Sequence, residues 1–232
     1  MTSAEKYFET LSNILHEVVT TQREPIDAAA RAVAAALENG HRIHAFGTGH
    51  SHMLAEELFY RAGGLVNVNP ILEPSLMLHE SASKSTELER EEGMGRRLFD
   101  SNNLRAGDVL FVFSNSGRNG VTVIVITGMK HTMSGASRHT SGKRLYELGN
   151  IVIDNCGGVG DAAMEFDGGR IRTSPTSTAV GAAILNAVEA GAVEYMLSHG
   201  FEPELFSSSN VDGGDEINAA FIEKYRGEIK AL

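Results

Sequence analysis

Two short loops rich in glycine and serine hold the residues best suited to binding an anion. The first loop reads Gly47-Thr48-Gly49-His50-Ser51 and follows the apolar run 42–46. The second loop reads Ser114-Asn115-Ser116-Gly117 and follows the apolar run 108–113. Small residues at the end of a strand let backbone N–H groups and hydroxyls close around an anion. The two loops therefore predict a phosphate-bearing small molecule as the ligand.

The segments around the loops alternate between strand-type and helix-type patterns. Strands are predicted at about 42–46, 65–71, 108–114, 121–127 and 150–154, and helices at about 3–22, 25–39, 51–63, 86–101, 139–148, 178–198 and 214–227. This alternation is typical of a parallel sheet with helices on both faces. Ligands bind such sheets at the carboxyl ends of the strands, which is where both loops fall.

Length and composition favour one soluble domain. The 232 residues, 42% of them hydrophobic, are enough for one core, and we expect a single domain over 1–232 with an N-terminal helix and a helical tail at about 214–232. The net charge of −10 argues against a nucleic-acid partner, because that binding needs a basic face. Cys156 is the single cysteine, and no signal peptide or apolar run near the ~20 residues of a membrane span is evident. We expect a cytoplasmic protein without a membrane partner.

Motifs for common cofactors are incomplete. The first loop opens like the dinucleotide fingerprint Gly-x-Gly-x-x-Gly, but His52 stands at the third glycine and no acidic residue closes the strand 65–69. Gly142-Lys143 lacks the flanking residues of a P-loop. A zinc site formed by His131, His139 and Cys156 lacks tight ligand spacing. We therefore expect neither a cofactor nor a metal ion.

Helix capping is an alternative use for some of these polar residues. Ser51 is suited to cap the helix that follows it, so the first loop alone leaves a cap and a ligand contact both open. In a third polar turn, 173–178, Ser174 as N-cap with Pro175 in the first turn explains most of the pattern. Thr176 and Ser177 stay candidate ligand contacts.

Together the three polar segments resemble the SIS (sugar isomerase) domain family of phosphosugar-binding proteins. The pattern is Gly-x-Gly-x-Ser after the first strand, Ser-x-Ser-Gly after a later strand, and Pro175-Thr176-Ser177-Thr178 before the last long helix. The resemblance spans about residues 5–200, and the stretches 55–64 and 137–146 are similar to uncharacterised members near phosphoheptose isomerase. It implies an α/β/α sandwich with a five-stranded, mainly parallel, flavodoxin-like sheet, and a homodimer or homotetramer.

The resemblance also implies roles for individual residues. The phosphate contacts it implies are Ser51, Ser114, Asn115, Ser116 and Asn119. The loop and turn residues themselves add Gly49, His50, Gly117, Thr176 and Ser177 as candidate substrate contacts. Isomerases of this family work through an enediol, which needs a base to move a proton between carbons and an acid to open the sugar ring. Glu57 matches the family's base by motif, with Glu56 as the alternative, although the stretch lies about one helical turn nearer Ser51 than in those enzymes.

Histidine is the natural second catalyst, because imidazole changes its protonation near neutral pH. His79, which follows a predicted strand end and could reach a sugar bound at the carboxyl edge of the sheet, is the predicted catalytic histidine. His50 and His52 lie in or beside the first loop, and each also has a claim. The family places its catalytic histidine on the last long helix, where this chain has none until His199. That departure counts against isomerase chemistry.

The segment behind the second loop is unusually short. Parallel strands need a crossover of about a dozen residues, normally a helix, and only 115–120 separate Ser114 from the next strand. The family's helix after Ser-x-Ser-Gly is therefore expected to be missing. A true deletion with a hairpin or disturbed sheet, strand exchange between subunits and a segment lost from the sequence all stay open.

These features predict a phosphosugar-binding protein that isomerises aldose and ketose phosphates. Two alternatives stay open, a non-catalytic sugar-phosphate sensor and a lyase or etherase acting on an amino-sugar phosphate. The sequence does not identify the sugar.

Overall fold

Five parallel strands form the central sheet of the computed structural model, which describes residues 1–113, 121–137 and 139–232. They are β1 Ile43–Phe46, β2 Val68–Ile71, β3 Val109–Val112, β4 Thr122–Thr127 and β5 Ile151–Asp154. The strand order is β2-β1-β3-β4-β5, and every neighbouring pair is parallel. This is the flavodoxin-like order, and it confirms the predicted sheet.

Helices cover both faces of the sheet. They are α1 Ser3–Thr21, α2 Arg23–Glu38, α3 His52–Glu57, α4 Leu78–Leu88, α5 Met94–Asp100, α6 Met129–Met133, α7 Ser177–Ser198 and α8 Gly214–Tyr225. Short 3-10 helices lie at Gly49–Ser51, Pro74–Leu76 and Leu145–Leu148.

The two faces of the sheet build two apolar cores. On one face, Ile43 and Phe111 pack with buried residues of α2, α3 and α7. On the other face, Phe46 and Val112 pack with Leu98 of α5 and the 3-10 helix Leu145–Leu148. Residues buried on both faces explain why the strands read as continuous apolar runs. The predicted α/β/α sandwich is confirmed.

β3 and β4 are parallel neighbours in the sheet. Val109 of β3 lies opposite Thr122 of β4, and Thr122 N–H donates to the carbonyl of Asp108 over 2.9 Å. A hairpin between β3 and β4, one of the possibilities that the sequence left open, is therefore wrong. The residues at which the family's helix was expected to be missing, 114–120, lie outside the described residues.

Several predicted boundaries were wrong. The helix predicted at 51–63 ends at Glu57, because the chain soon takes a left-handed conformation at Tyr60 (φ 51°). The region 86–101 holds the end of α4 and all of α5, separated by Gly93 at φ 83°. In 139–148 only the 3-10 helix at Leu145–Leu148 is present.

An antiparallel hairpin was not predicted. Its strands are β6 Ala162–Phe166 and β7 Ile171–Pro175. They are joined through Asp167, Gly168 and Gly169, all at positive φ, which is the Asp-Gly signal of a hairpin turn. Ser174 lies in β7 and is not the cap of α7, so that prediction was wrong.

The carboxylate of Asp161 occupies the N-terminus of α7. Its Oδ1 accepts the N–H groups of Thr176 (3.0 Å) and Ser177 (2.8 Å), and its Oδ2 accepts the Ser177 hydroxyl (2.6 Å). A negative charge at this position complements the helix dipole. The turn before α7 thus binds an anion that belongs to the chain itself.

Helix α7 is the most apolar long helix in the described part of the chain. With 22 residues and a mean hydropathy of 1.3, it is long and apolar enough by length and composition to cross a membrane. The expectation that no segment reaches such a length was therefore wrong. Val180, Ile184 and Val188 of this helix are buried in the core, which α2 also lines.

A buried polar chain links β2, β1 and the start of β3. Asn69 Nδ2 donates to His44 Nδ1 over 3.1 Å, so the proton of His44 sits on Nε2, 3.1 Å from Asp108 Oδ2. Asp108 Oδ1 also accepts the Arg42 N–H over 3.0 Å. Burial lowers the pKa of His44, and the carboxylate of Asp108 only partly opposes this effect.

The lowered pKa of His44 predicts a pH-dependent stability. Between the folded-state pKa and the ordinary value of about 6.5, the unfolded chain binds a proton that the folded protein does not. The free energy of unfolding should therefore be highest above about pH 6.5 and fall as the pH drops through the folded-state pKa. Urea denaturation between pH 5 and 8 measures this. His44→Gln should flatten the dependence of the free energy of unfolding on pH, and His16→Gln, at an exposed site, should not. The same pH dependence in the wild type and both variants would contradict the role of His44.

Candidate functional site

The carboxyl ends of β1 and β3 lie side by side. Phe113 N–H donates to the carbonyl of Phe46 over 2.9 Å, so the chain leaves both strands at neighbouring points of one sheet edge. From β1 the chain continues to β2 on one side, and from β3 to β4 on the other. Such a reversal opens the crevice in which sheets of this type bind ligands.

The second loop begins directly after Phe113. Its predicted contacts, Ser114, Asn115, Ser116, Gly117 and Asn119, lie outside the described residues. They stay predictions, and the described strand that precedes them ends beside the first loop.

The first loop is a tight turn that only glycine allows. A Cβ on Gly47 would stand 2.4 Å from the carbonyl oxygen of Ser51. Gly49 has a φ of 54°, and Ser51 N–H donates to the carbonyl of Thr48 over 3.0 Å. Among the described residues the Ser51 side chain makes no capping hydrogen bond to α3. The structure therefore gives no support to the capping interpretation of Ser51.

Two histidines meet beside this loop. The Nδ1 of His52 contacts the carbonyl oxygen of Gly49, and its Nε2 lies 3.6 Å from Glu56 Oε2. The ring of His79 packs edge-on at 6.5 Å between ring centroids. His52 is 12% exposed and His79 is 63% exposed, whereas His50 is an exposed residue of the loop itself.

Glu57 lies in the contact between α3 and α7. Its Oε2 pairs with Arg61 over 2.5 Å, and its Oε1 accepts Asn186 Nδ2 over 2.9 Å. The nearby Glu189 accepts the Leu65 N–H over 2.7 Å, and burial, reinforced by the charge of Glu57, raises its pKa. In the described part of the chain, Glu57 makes no hydrogen bond or ion pair with His79.

Thr176 and Ser177 donate to Asp161 rather than facing open space. Thr176 is buried, and the backbone N–H groups of both residues are held by the Asp161 carboxylate. Their role as substrate contacts stays a prediction, and it requires a ligand to compete with this carboxylate.

Two features were not predicted from the sequence: the turn after β5 and the hydrogen bond from Asn186 to Glu57. Asn155 Oδ1 accepts the Gly157 N–H over 2.9 Å, and Cys156 takes a φ of 57°. The run Asn155-Cys156-Gly157-Gly158 at a strand end was the available signal. Asn186 gave no signal, because one amide on an apolar helix has no motif around it.

The alternative zinc site is not formed by the described residues. They contain no group of three possible ligands close enough to hold a metal ion. His131 Nδ1 instead accepts the Gly160 N–H over 3.2 Å. Burial raises the pKa of the Cys156 thiol, which disfavours the thiolate that a metal would need.

A cavity of about 270 Å³ lies away from the first loop. It is lined by the end of β2, by Leu98, Ser101 and Asn102, and by Lys230 near the C-terminus. None of the predicted site residues borders it, so the loop chemistry and not this cavity defines the candidate site.

Gly47→Ala tests the close approach in the first loop. The added Cβ meets backbone atoms of Ser51 that can move only with the loop, so we expect a loss of about 1–3 kcal/mol in the free energy of unfolding. Urea denaturation measures the loss. Gly227→Ala is the matched control, because a Cβ there meets nothing within 4 Å. A Gly47→Ala protein as stable as the control would contradict the geometry.

Comparison with known proteins gives several matches. The family model described as SIS domain matches residues 6–132. UPF0309 proteins of Geobacillus sp. (strain WCH70) and Listeria innocua are 43% identical over 241 residues and 42% identical over 239 residues. These alignments cover 98% and 97% of this chain, and the same shares of the two relatives.

Two solved structures are similar at low sequence identity. A phosphoheptose isomerase from Neisseria gonorrhoeae has a TM-score of 0.47 and 16% identity over 82% of this chain and 95% of its own. The sugar isomerase domain of an RpiR transcription factor from Sphaerobacter thermophilus has a TM-score of 0.44 and 15% identity over 98% of this chain and 99% of its own.

The family model covers more than half of the chain, including the first loop, and the UPF0309 relatives align along almost its whole length. The chain therefore belongs to the SIS domain family, among the UPF0309 proteins.

Proposed function

We propose that the protein binds a sugar phosphate, with the phosphate in the crevice between β1 and β3, and interconverts its aldose and ketose forms. The adjacent ends of these strands, joined by the Phe113 to Phe46 hydrogen bond, carry this proposal. That pairing supports a shared anion site, because the first loop follows one of these strand ends and the second loop follows the other.

Local donors have to hold the phosphate. The net charge of −10 gives no general attraction for an anion. Backbone N–H groups of the first loop and the hydroxyl of Ser51 are suited to the task, because they bind an anion at short range without a full positive charge.

The reaction is a proton transfer within the bound sugar. A base removes the proton from the carbon beside the carbonyl group, and an enediol forms once the carbonyl oxygen is protonated. Return of a proton to the neighbouring carbon gives the isomer. These steps need positioned acids and bases and are compatible with the carboxylates and imidazoles of Glu56, His52 and His79 beside the first loop.

A sensor is the second candidate function. Both carboxylate oxygens of Glu57 are engaged by Arg61 and Asn186, so the residue that matches the family's base has a structural use here. A protein that kept the phosphate loops and lost turnover would act as a sugar-phosphate sensor.

Binding and turnover of hexose, heptose and amino-sugar phosphates test the proposal. We expect at least one compound to raise the melting temperature, and Ser51→Ala to weaken its binding about tenfold through loss of a charge-assisted hydrogen bond. Ser12→Ala, on an exposed face of α1, is the control and should bind like the wild type. Exchange of the substrate C–H proton in D2O, followed by NMR, separates an isomerase from a sensor.

No shift with any compound in the panel would overturn the phosphosugar proposal. Binding without proton exchange would favour the sensor over the isomerase.

We also propose that the protein works as a cytoplasmic homodimer or homotetramer. Support comes from α1, which packs on the core through Leu11 and Ile14 yet exposes Phe8 and Val19. Sedimentation equilibrium should give two or four times the chain mass of 24.9 kDa. A monomer mass at micromolar concentration would contradict this proposal.

A further inference from the structure

The two adjacent glutamates of α3 have different surroundings. Glu57 is 19% exposed, and Arg61 and Asn186 hold its two oxygens in the α3 to α7 contact. Glu56 is 50% exposed, and its partner in the described structure is His52. The environment therefore makes Glu56 the glutamate that can take part in chemistry beside the first loop, although sequence reasoning ranked Glu57 first.

The hydrogen bonding of His52 determines which of its nitrogens can exchange a proton. A carbonyl oxygen only accepts, so the Nδ1 that contacts the Gly49 carbonyl carries a hydrogen. The Nε2 is then the atom that gains and loses a proton, and it faces Glu56 Oε2 at 3.6 Å. A neutral Nε2 and a carboxylate oxygen both accept, so no hydrogen bond joins them in this state; Glu56 is placed to pair with the imidazolium that forms once Nε2 has taken up a proton.

His52 lies beside the first loop. It directly follows Ser51, a predicted phosphate contact, and the edge-on ring of His79 packs against it. Other charged groups nearby are Glu80, 3.9 Å from His79, and Glu89, which accepts the Thr48 hydroxyl over 3.2 Å. His50 lies in the loop itself.

We propose that His52 is the acid–base catalyst of this site, that the Glu56 carboxylate stabilises the protonated imidazole of His52, and that Glu57 serves to join α3 to α7. This inference rests on the proposed isomerase function. His52 Nε2 takes the proton from the carbon next to the carbonyl group, and the C–H electron pair becomes the carbon–carbon double bond of the enediolate. Water protonates the carbonyl oxygen and becomes hydroxide. The carbon that lost its proton becomes the new carbonyl carbon, and its hydroxyl group gives its proton to that hydroxide. Nε2–H then gives its proton to the former carbonyl carbon.

Matched glutamine variants test this assignment. The substrate is whichever hexose, heptose or amino-sugar phosphate of the panel the wild-type protein turns over fastest. We expect His52→Gln to lower kcat at least about 100-fold, within the usual range for loss of an acid–base group, with little change in KM. His16→Gln is the matched histidine control and should keep wild-type kinetics.

Variants of the two glutamates should differ in kcat and in melting temperature. Glu56→Gln should lower kcat about tenfold at unchanged KM, and Glu56→Asp should recover part of the loss, since a shorter carboxylate still carries the negative charge that stabilises the imidazolium. Glu57→Gln should lower the melting temperature and reduce kcat less than tenfold.

Three outcomes would overturn the inference. Wild-type turnover that survives His52→Gln, or that Glu57→Gln abolishes in a folded protein, would show that the base lies elsewhere while leaving the proposed function intact. A wild-type protein that turns over no member of the panel would refute the proposed isomerase function, and the inference with it.

Discussion

The parallel pairing of β1 with β3 is the constraint on which the candidate site depends. The hydrogen bond from Phe113 to Phe46 makes the two strands end together, and their onward connections then diverge to opposite sides of the sheet. That divergence leaves a crevice at the carboxyl edge, and Gly47 lets the first loop turn sharply into it. Apolar residues buried on both faces hold the strands in this register. In the proposed function, ligand binding is thus a consequence of strand order, and the loops would supply its donors.

The sheet keeps its order although the chain is short behind β3. β3 and β4 remain parallel and in register, with Val109 opposite Thr122. The alignment with the Geobacillus sp. (strain WCH70) relative runs over 241 residues, more than the 232 of this chain, so that relative has residues without a counterpart here. Buried apolar residues on both faces of β3 and β4 hold this parallel pairing.

Much of the fold could be predicted because its signals are local. Continuous apolar runs located all five strands, and the helix-type pattern over about 3–22 located α1. The short elements α6, β6 and β7 were not predicted, because five residues are too few to show a clear hydrophobic period. The site was harder to predict. Motif position ranked Glu57 first, yet Asn186, 129 residues away in sequence, engages it. The Asp161 cap of α7 likewise depends on a tertiary contact that no short sequence window contains.

Backbone amide chemical shifts test the central claim most directly. A ¹⁵N-labelled protein is titrated with a sugar phosphate that raises its melting temperature, and the amides of 47–51 and 114–117 are followed together. If the two loops close around one phosphate, both sets shift and saturate with a single dissociation constant. Shifts confined to one loop, or two different dissociation constants, would contradict a shared site at the ends of β1 and β3.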